Sequence, residues 1–186
     1  MGLDLIEYAL AVEDAFELSI PDDEWALLTT PGRLIDYLCA HLRVGDAGPP
    51  LVQTAFYRLR RAVASELRID RKTIAPTSTL RALAPQRSER DLMHAVAARL
   101  GLAPRDLSHS PVLGALSQMR PVSARTLGSV AQELAMRRPA KMKPSVSFWT
   151  RAQITEVTMR LLEHEVGVDL AKVQPHHTFV GDLGMG

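Results

Sequence analysis

The sequence predicts an all-α protein made of two helical bundles, one divided between the two chain ends and the other inserted between them. Three observations support this prediction. Apolar residues recur at spacings of three and four, and no stretch alternates convincingly as a β-strand would. Charge changes sign along the chain, and two segments from the middle of the 186 residues repeat segments near the ends.

The charge distribution divides the chain into an acidic start, a basic middle and a mildly acidic end. Residues 1–42 contain nine Asp or Glu against one Arg, a net charge of −8. Residues 43–143 contain eighteen Lys or Arg against seven acids, a net charge of +11, and residues 144–186 carry −2. This segregation indicates separate units with different partners.

The composition is that of an ordinary globular protein, with 46% apolar and 23% charged residues. No apolar run approaches the ~20 residues of a membrane span, and the first ten residues lack the Lys or Arg of a signal peptide. We therefore expect a cytoplasmic protein. A single cysteine, Cys39, excludes an internal disulfide and a cysteine-cluster metal site.

The N-terminal acidic segment predicts three helices. The first covers residues 3–17, with one face of Leu5, Ala9, Val12 and Phe16 turned inward. "SIPDDE" starts a short second helix, capped by Ser19 or Asp22, with Pro21 near a first helical position. Thr30 and Pro31 start the third, whose predicted inward residues are Leu34, Tyr37, Leu38 and His41 or Leu42. "VGDAGPP" at 44–50 is a predicted linker.

The rest of the chain predicts four further helices. One begins near Leu51, one covers roughly 89–100, and one lies near 123–137. The basic, proline-containing residues 139–147 form a second predicted linker. The last helix opens with a capping box, Thr150 and Gln153, and Gly167 supplies its left-handed end.

An internal repeat relates the middle of the chain to its ends. "ELRIDRKTIAPTSTL" (66–80) matches "EVGVDLAKVQPHHTF" (165–179) without a gap, and "DLMHAVAARLGL" (91–102) matches "EYALAVEDAFEL" (7–18). In the middle of the chain the loop segment 66–80 precedes the helical segment 91–102. At the chain ends the order is reversed, because the helical segment 7–18 precedes the loop segment 165–179. The predicted units are therefore 1–43 plus 148–186, and 51–138. Neither end can bury its apolar face alone, so the two must dock.

Joined end to start, the terminal segments resemble the acyl carrier protein family, the four-helix bundles of fatty-acid and polyketide synthesis. The phrases that carry the resemblance are "FVGDLGM", "IEYALAVEDAF", "IPDDE" and "TTPGRLIDYL". The resemblance implies a circularly permuted bundle, with helices II–IV at the N-terminus and helix I at the C-terminus, or halves exchanged between two chains. Residues 51–138 resemble the same family more weakly and are expected to form a degenerate, basic copy.

The resemblance also implies a site, and here the sequence departs from the family. An Asp-Ser-Leu triplet opens helix II in the family, and its Ser carries 4′-phosphopantetheine. Gly2 occupies that position here and offers no hydroxyl. In the middle unit the position falls near Gln86; Ser88 lies two residues away and is interpreted mainly as a helix cap for Asp91. We therefore expect no cofactor. Because His164, His176 and His177 lack the helical spacing of metal ligands and no catalytic grouping is evident, we also expect no metal site and no enzymatic activity.

Two charged faces are candidates for binding. Residues Leu3, Asp4, Glu7, Leu10, Glu13 and Asp14 resemble the surface that carrier proteins present to basic patches on partner enzymes. The alternative is an ordinary solvated face; the first 32 residues, however, lack any Lys or Arg, whereas such faces usually mix signs. The basic middle, Arg58, Arg60, Arg61, Arg68, Arg71 and Lys72, favours an acidic protein over nucleic acid, because only Phe56 and Tyr57 lie among them as aromatic residues.

Three functional hypotheses follow. The first is a non-catalytic, acyl-carrier-like scaffold or regulator that binds proteins near an acyl-transfer pathway such as fatty-acid biosynthesis. The second is a genuine acyl carrier, modified at an unorthodox serine or completed by another chain. The third is a self-assembling structural protein, for example a homodimer whose chain ends are exchanged.

Overall fold

The computed structural model describes residues 2–108, 125–143 and 148–186, and within these ranges the chain forms helices and no β-strand. The all-α prediction is therefore confirmed. The α-helices are α1 Leu3–Phe16, α2 Asp22–Trp25, α3 Pro31–His41, α4 Leu51–Leu67, α5 Leu80–Leu83, α6 Glu89–Leu100, α7 Pro104–Ser108, α8 Leu127–Arg137, α9 Pro139–Met142 and α10 Arg151–Val166. Two compact units are present: unit 1 comprises Met1–Pro49 and Ser145–Gly186, and unit 2 comprises Pro50–Pro144.

Unit 1 is built around α10, which contacts both α1 and α3. The fully buried Tyr8 of α1 donates its hydroxyl to the Thr158 carbonyl of α10 at 3.2 Å, and its ring lies 5.5 Å from that of Phe179. Phe16 packs against Trp149, with ring centroids 5.0 Å apart. These contacts join the N-terminal and C-terminal segments of the chain in one hydrophobic core.

Unit 2 is built around α4, which contacts α6, α8 and α9. Its core is mainly aliphatic, with Leu59, Leu92 and Leu134 almost completely buried, and includes the ring of Phe56. The Arg58 side chain of α4 donates to the Lys143 carbonyl at 2.8 Å, so this cation has a structural role within the unit.

The two units repeat the same backbone contacts. Thr30 caps α3 and Thr126 caps α8, each accepting from the amide three residues on. Two residues after each cap, Gly32 donates to the Pro175 carbonyl and Gly128 to the Pro76 carbonyl, both at 2.8 Å. The two prolines are equivalent positions in the repeat found in the sequence.

Loop entrances repeat as well. Asp70 and Asp169 each cap a short 3₁₀ turn, Arg71–Thr73 and Leu170–Lys172. The preceding helices, α4 and α10, both end in a left-handed residue, Arg68 and Gly167. The assignment of each unit to an acyl-carrier-like bundle remains a prediction, but the described parts of both follow one plan.

Several predicted helix ends are observed. Thr150 and Gln153 form the reciprocal capping box at the start of α10, and Gly167 has φ 77° at its end. Ser88 accepts from the Asp91 amide at 3.4 Å as the N-cap of α6. Of the helix predicted near 123–137, α8 accounts for Leu127–Arg137; residues 123 and 124 lie outside the described ranges.

Other details differ from the prediction. Pro21 is the N-cap residue of α2, ahead of its first helical position, and neither Ser19 nor Asp22 caps it. In α3, Ile35 is buried together with Leu34 and Leu38, whereas His41 is exposed. His41 instead stacks on the half-buried Tyr37, with ring centroids 4.0 Å apart. Of the two alternatives at the end of this face, Leu42 is half-buried, so the predicted face is kept at Leu34 and Leu38 and extended by Ile35.

The predicted linkers are partly ordered structure. Residues 139–142 form α9, and Met142 is fully buried, so these residues belong to the core of unit 2. Residues 44–49 pack within unit 1: the Gly45 amide donates to the Trp149 carbonyl at 2.7 Å, and Gln153 donates to the Pro49 carbonyl at 2.7 Å. The prolines in these two segments correctly indicated interruptions of helical structure. They did not indicate that the segments lie outside the packed units.

Candidate partner-binding surface

One side of α1 packs into the core of unit 1, and the opposite side is exposed to solvent. Tyr8, Ala9, Val12, Ala15 and Phe16 form the buried side. The opposite side carries Leu3 and Leu10, which are 68% and 58% exposed, and the exposed acids Glu7 and Asp14. We call Leu3, Asp4, Glu7, Leu10 and Asp14 the acidic face. Large apolar side chains held in solvent between acids are the feature of this face that solubility alone does not explain.

Glu13 does not share the setting of the other predicted surface residues. Its carboxylate accepts from the Ile20 backbone amide at 2.6 Å and is partly buried. The contact closes the turn after α1, where Glu17 is left-handed with φ 52°. Glu13 thus has a structural function in the α1–α2 connection, which the sequence pattern did not indicate.

The start of α1 lies beside the C-terminal segment. Gly2 is the N-cap residue, and a Cβ built on it would overlap the backbone of Gly186. Phe179 donates its amide to the Thr29 carbonyl at 3.0 Å, and Met185 is fully buried. The start of α1 and residues 179–186 therefore lie in close contact within unit 1.

The segment that approaches this junction is held by local hydrogen bonds. The Asp182 carboxylate accepts from the Thr178 amide at 2.7 Å and from its hydroxyl at 2.8 Å. These bonds, the amide first, lower the pKa of Asp182. Hydrogen bonds to the ionised form favour it, so the same contacts that close this turn stabilise the Asp182 carboxylate.

No other constellation forms a site in the described part of the chain. No group of three or more His, Cys, Asp or Glu among these residues could hold a metal ion. His176 and His177 pack edge to face with each other in a loop. Ser88 is exposed, and its side-chain oxygen serves the α6 cap. None of the described helices is long and apolar enough to cross a membrane.

Some of the described basic residues of unit 2 have partners within the unit, and others are exposed. Glu66 bridges Arg87 at 3.1 Å and Arg99 at 2.9 Å, and these bonds, with Arg99 the stronger cause, lower the pKa of Glu66. Arg60 instead lies over the rings of Phe56 and Tyr57, 5.6 and 5.2 Å from their centroids. Arg61, Arg68, Arg71 and Lys72 are exposed on α4 and the turn that follows.

The chain is similar over a short stretch to a polyketide synthase. A segment of 58 residues is 41% identical to a non-reducing polyketide synthase, Preu3, of Preussia isomera, and the match covers 28% of this chain. The chain corresponds to only 2% of the length of that synthase. No protein-family model matches the sequence, and no solved structure matches the chain. The similarity is consistent with a relation to acyl carrier domains. It covers too little of the chain to show a circularly permuted arrangement.

Proposed function

We propose that the protein is a non-catalytic, acyl-carrier-like scaffold or regulator that binds basic patches on acyl-transfer enzymes through the acidic face of α1. The observation that carries the proposal is the alternation of exposed leucines and acids on one side of α1. The proposal includes the permuted bundle, in which the C-terminal segment supplies helix I and the loop before α1.

One comparison supports the carrier relation on which the proposal rests. Polyketide synthases contain acyl carrier domains, and the matched stretch is 41% identical over 58 residues. A fold does not carry an activity without its site. Gly2 stands where the family has its modified Ser, so we propose that this chain binds the partners of a carrier without carrying 4′-phosphopantetheine itself.

The capture experiment uses immobilised ketosynthase and acyltransferase domains of a polyketide synthase, with binding of the full chain measured by interferometry at low salt. We expect Glu7→Lys combined with Asp14→Lys to weaken binding at least tenfold. Each exposed ion pair is worth about 0.2–1 kcal/mol, and reversal replaces two attractions by two repulsions. Tenfold corresponds to about 1.4 kcal/mol.

The matched control is Asp46→Lys combined with Glu163→Lys, which makes the same change in net charge at exposed positions of unit 1 outside α1. It should bind like the parent chain. If both double variants lose binding equally, long-range charge and not the acidic face is responsible, and this part of the proposal is wrong. Far-UV circular dichroism checks that each variant is folded.

A mass measurement tests the absence of pantetheine. The chain is incubated with coenzyme A and a phosphopantetheinyl transferase, and its intact mass is recorded; we expect no change. A gain the size of phosphopantetheine would favour a genuine carrier. In that event the gain should disappear in Ser88→Ala if that serine is the substitute site.

A further inference from the structure

Three large apolar side chains form a continuous exposed row along α1. Leu3, Ile6 and Leu10 are 68%, 40% and 58% exposed, and their spacing of three and four residues places them side by side on the helix surface. The buried side of α1, which includes Tyr8 and Phe16, packs in the core of unit 1. That packing leaves the row uncovered. We call Leu3, Ile6 and Leu10 the apolar stripe.

The apolar stripe has the spacing of a helix–helix seam. Single exposed leucines are common on protein surfaces, but apolar residues at alternating intervals of three and four repeat the seam along which one helix packs against another. The fold itself does not require them. In α6, the helix of unit 2 that the sequence repeat relates to α1, Leu10 corresponds to His94, and one residue before the repeat begins Ile6 corresponds to Arg90. Both counterparts are exposed.

The free carboxylates beside the apolar stripe lie along one of its edges. At about 100° per residue, Asp4 and Glu7 lie on one flank of the stripe, and both are exposed. Glu13 lies on the other flank, where its carboxylate accepts from the Ile20 amide at 2.6 Å. Among the described residues no cation forms an ion pair with Asp4 or Glu7. The surface therefore combines an apolar centre with negative charge along one edge.

This charge restricts what covers the apolar stripe. A second α1 would bring the same carboxylates against Asp4 and Glu7, and like charges in contact oppose binding. An anionic membrane surface and the phosphates of nucleic acid would be repelled for the same reason. We propose that the stripe binds an amphipathic helix of a partner protein, whose apolar side covers the stripe and whose Lys or Arg residues lie against Asp4 and Glu7.

The proposal rests on the proposed function, because it concerns the same side of α1, and it adds the kind of element that the partner contributes. Burial of apolar side chains supplies most of the affinity, and salt does not screen it. The carboxylates orient the partner helix and accelerate the encounter. Binding should therefore persist at salt concentrations that abolish a contact made by exposed charges alone.

The test measures the fluorescence anisotropy of two labelled synthetic peptides titrated with the full chain. The first peptide is a helix with leucines at spacings of three and four and lysines along one edge of that row. The second has the same composition, with its leucines distributed around the helix. Titrations are made at about 0.15 M and about 1 M salt, where the Debye length is about 8 Å and about 3 Å. We expect the first peptide to bind at least tenfold more tightly than the second and to remain bound at the higher salt concentration.

A pair of matched variants assigns the binding to the apolar stripe. Leu3→Ala combined with Leu10→Ala should weaken binding of the first peptide at least tenfold at both salt concentrations. The control, Leu27→Ala combined with Val180→Ala, removes side chains that are 64% and 60% exposed in unit 1 outside α1 and should bind like the parent chain. All four side chains are exposed, so both variants should fold, which far-UV circular dichroism checks.

The outcomes separate this proposal from the proposed function. Equal binding of the two peptides, or a leucine variant that binds like the parent chain, would overturn the apolar stripe as the binding element. Absence of peptide binding would overturn it as well, as would equal losses in the leucine variant and its control. In each of these cases, capture of the ketosynthase or acyltransferase domains by the chain would still support the proposed function. If the first peptide binds through the stripe and neither enzyme domain is captured, the assignment to acyl-transfer enzymes fails and the helix-binding stripe is supported.

Discussion

Substitution of Tyr8 tests whether the two chain ends form one core. Tyr8 is fully buried, and both of its described partners, Thr158 and Phe179, lie in the C-terminal segment. Tyr8→Ala removes a large buried ring, a change that costs about 3–5 kcal/mol. Tyr8→Phe removes only the hydroxyl. Because the Thr158 carbonyl keeps its bond within α10, we expect a cost of about 0.5–1 kcal/mol.

The measurement uses the position of the tryptophans. Both, Trp25 and Trp149, lie buried in unit 1. Their fluorescence in a urea titration therefore reports on unit 1, whereas far-UV circular dichroism reports on both units. Since small proteins are stable by only about 5–15 kcal/mol, Tyr8→Ala should shift the fluorescence midpoint far to lower urea.

The matched control is Leu92→Ala, because Leu92 is the buried residue of unit 2 that the sequence repeat places opposite Tyr8. It should cost about 2–5 kcal/mol, shift the circular dichroism transition and leave the fluorescence midpoint near that of the parent chain. A fluorescence midpoint that Tyr8→Ala does not move would refute the shared core of the chain ends. Equal shifts from both substitutions would refute the assignment of the Tyr8 contribution to unit 1.

Two further predictions concern the repeated glycines and the bridging carboxylate. A Cβ on Gly32 would lie 2.8 Å from the Pro175 carbonyl oxygen, and one on Gly128 would lie 3.0 Å from the Pro76 carbonyl oxygen. Gly32→Ala should therefore destabilise unit 1 by about 1 kcal/mol by straining the Gly32–Pro175 hydrogen bond, and Gly128→Ala should destabilise unit 2 by less. A urea titration in which Gly32→Ala stabilises the chain would contradict this. The pKa of Glu66 is lower in the folded chain than its ordinary value of 4.5, so its contribution is present above that pH and is lost as pH falls further. Glu66→Gln should accordingly reduce stability at neutral pH and flatten its decline in acid, measured by thermal melts across pH; an unchanged pH profile would show that the bridge contributes nothing.

The ends of α6 and α10 were predictable because their chemistry is local, whereas the cap predicted for α2 was wrong. A Thr three residues before Gln at the start of α10, or a Gly after its last turn, specifies a cap without reference to the rest of the chain. The buried side of α3 was less predictable, because Ile35 and Tyr37 are both compatible with an inward position on an isolated helix. Only the packing against α10 decides between them. Similarly, the composition of residues 139–142 does not show that Met142 reaches the core of unit 2.

The sequence predicted where the candidate surface lies on α1, but it did not correctly predict every residue that belongs to it. Helical spacing placed Leu3, Glu7, Leu10 and Asp14 opposite the buried side of α1. The same reasoning included Glu13, whose carboxylate is used by the Ile20 amide seven residues along the chain. Such a contact depends on the left-handed turn at Glu17, which a helical wheel does not represent. Charge and exposure alone therefore overestimate how much of an acidic segment is free to bind.

The relation between the two units shows where function can reside in this protein. Backbone contacts are duplicated, down to a glycine amide and a proline carbonyl in each unit, whereas net charge is opposite in sign. The duplicated helix caps and glycine–proline backbone contacts are enough to maintain the same arrangement of helices in each unit. The exposed residues of the two units can therefore differ in sequence and charge. What distinguishes the units chemically is therefore their surfaces. Experiments on function should therefore first reverse charges on α1 and α4 and leave the cores unchanged.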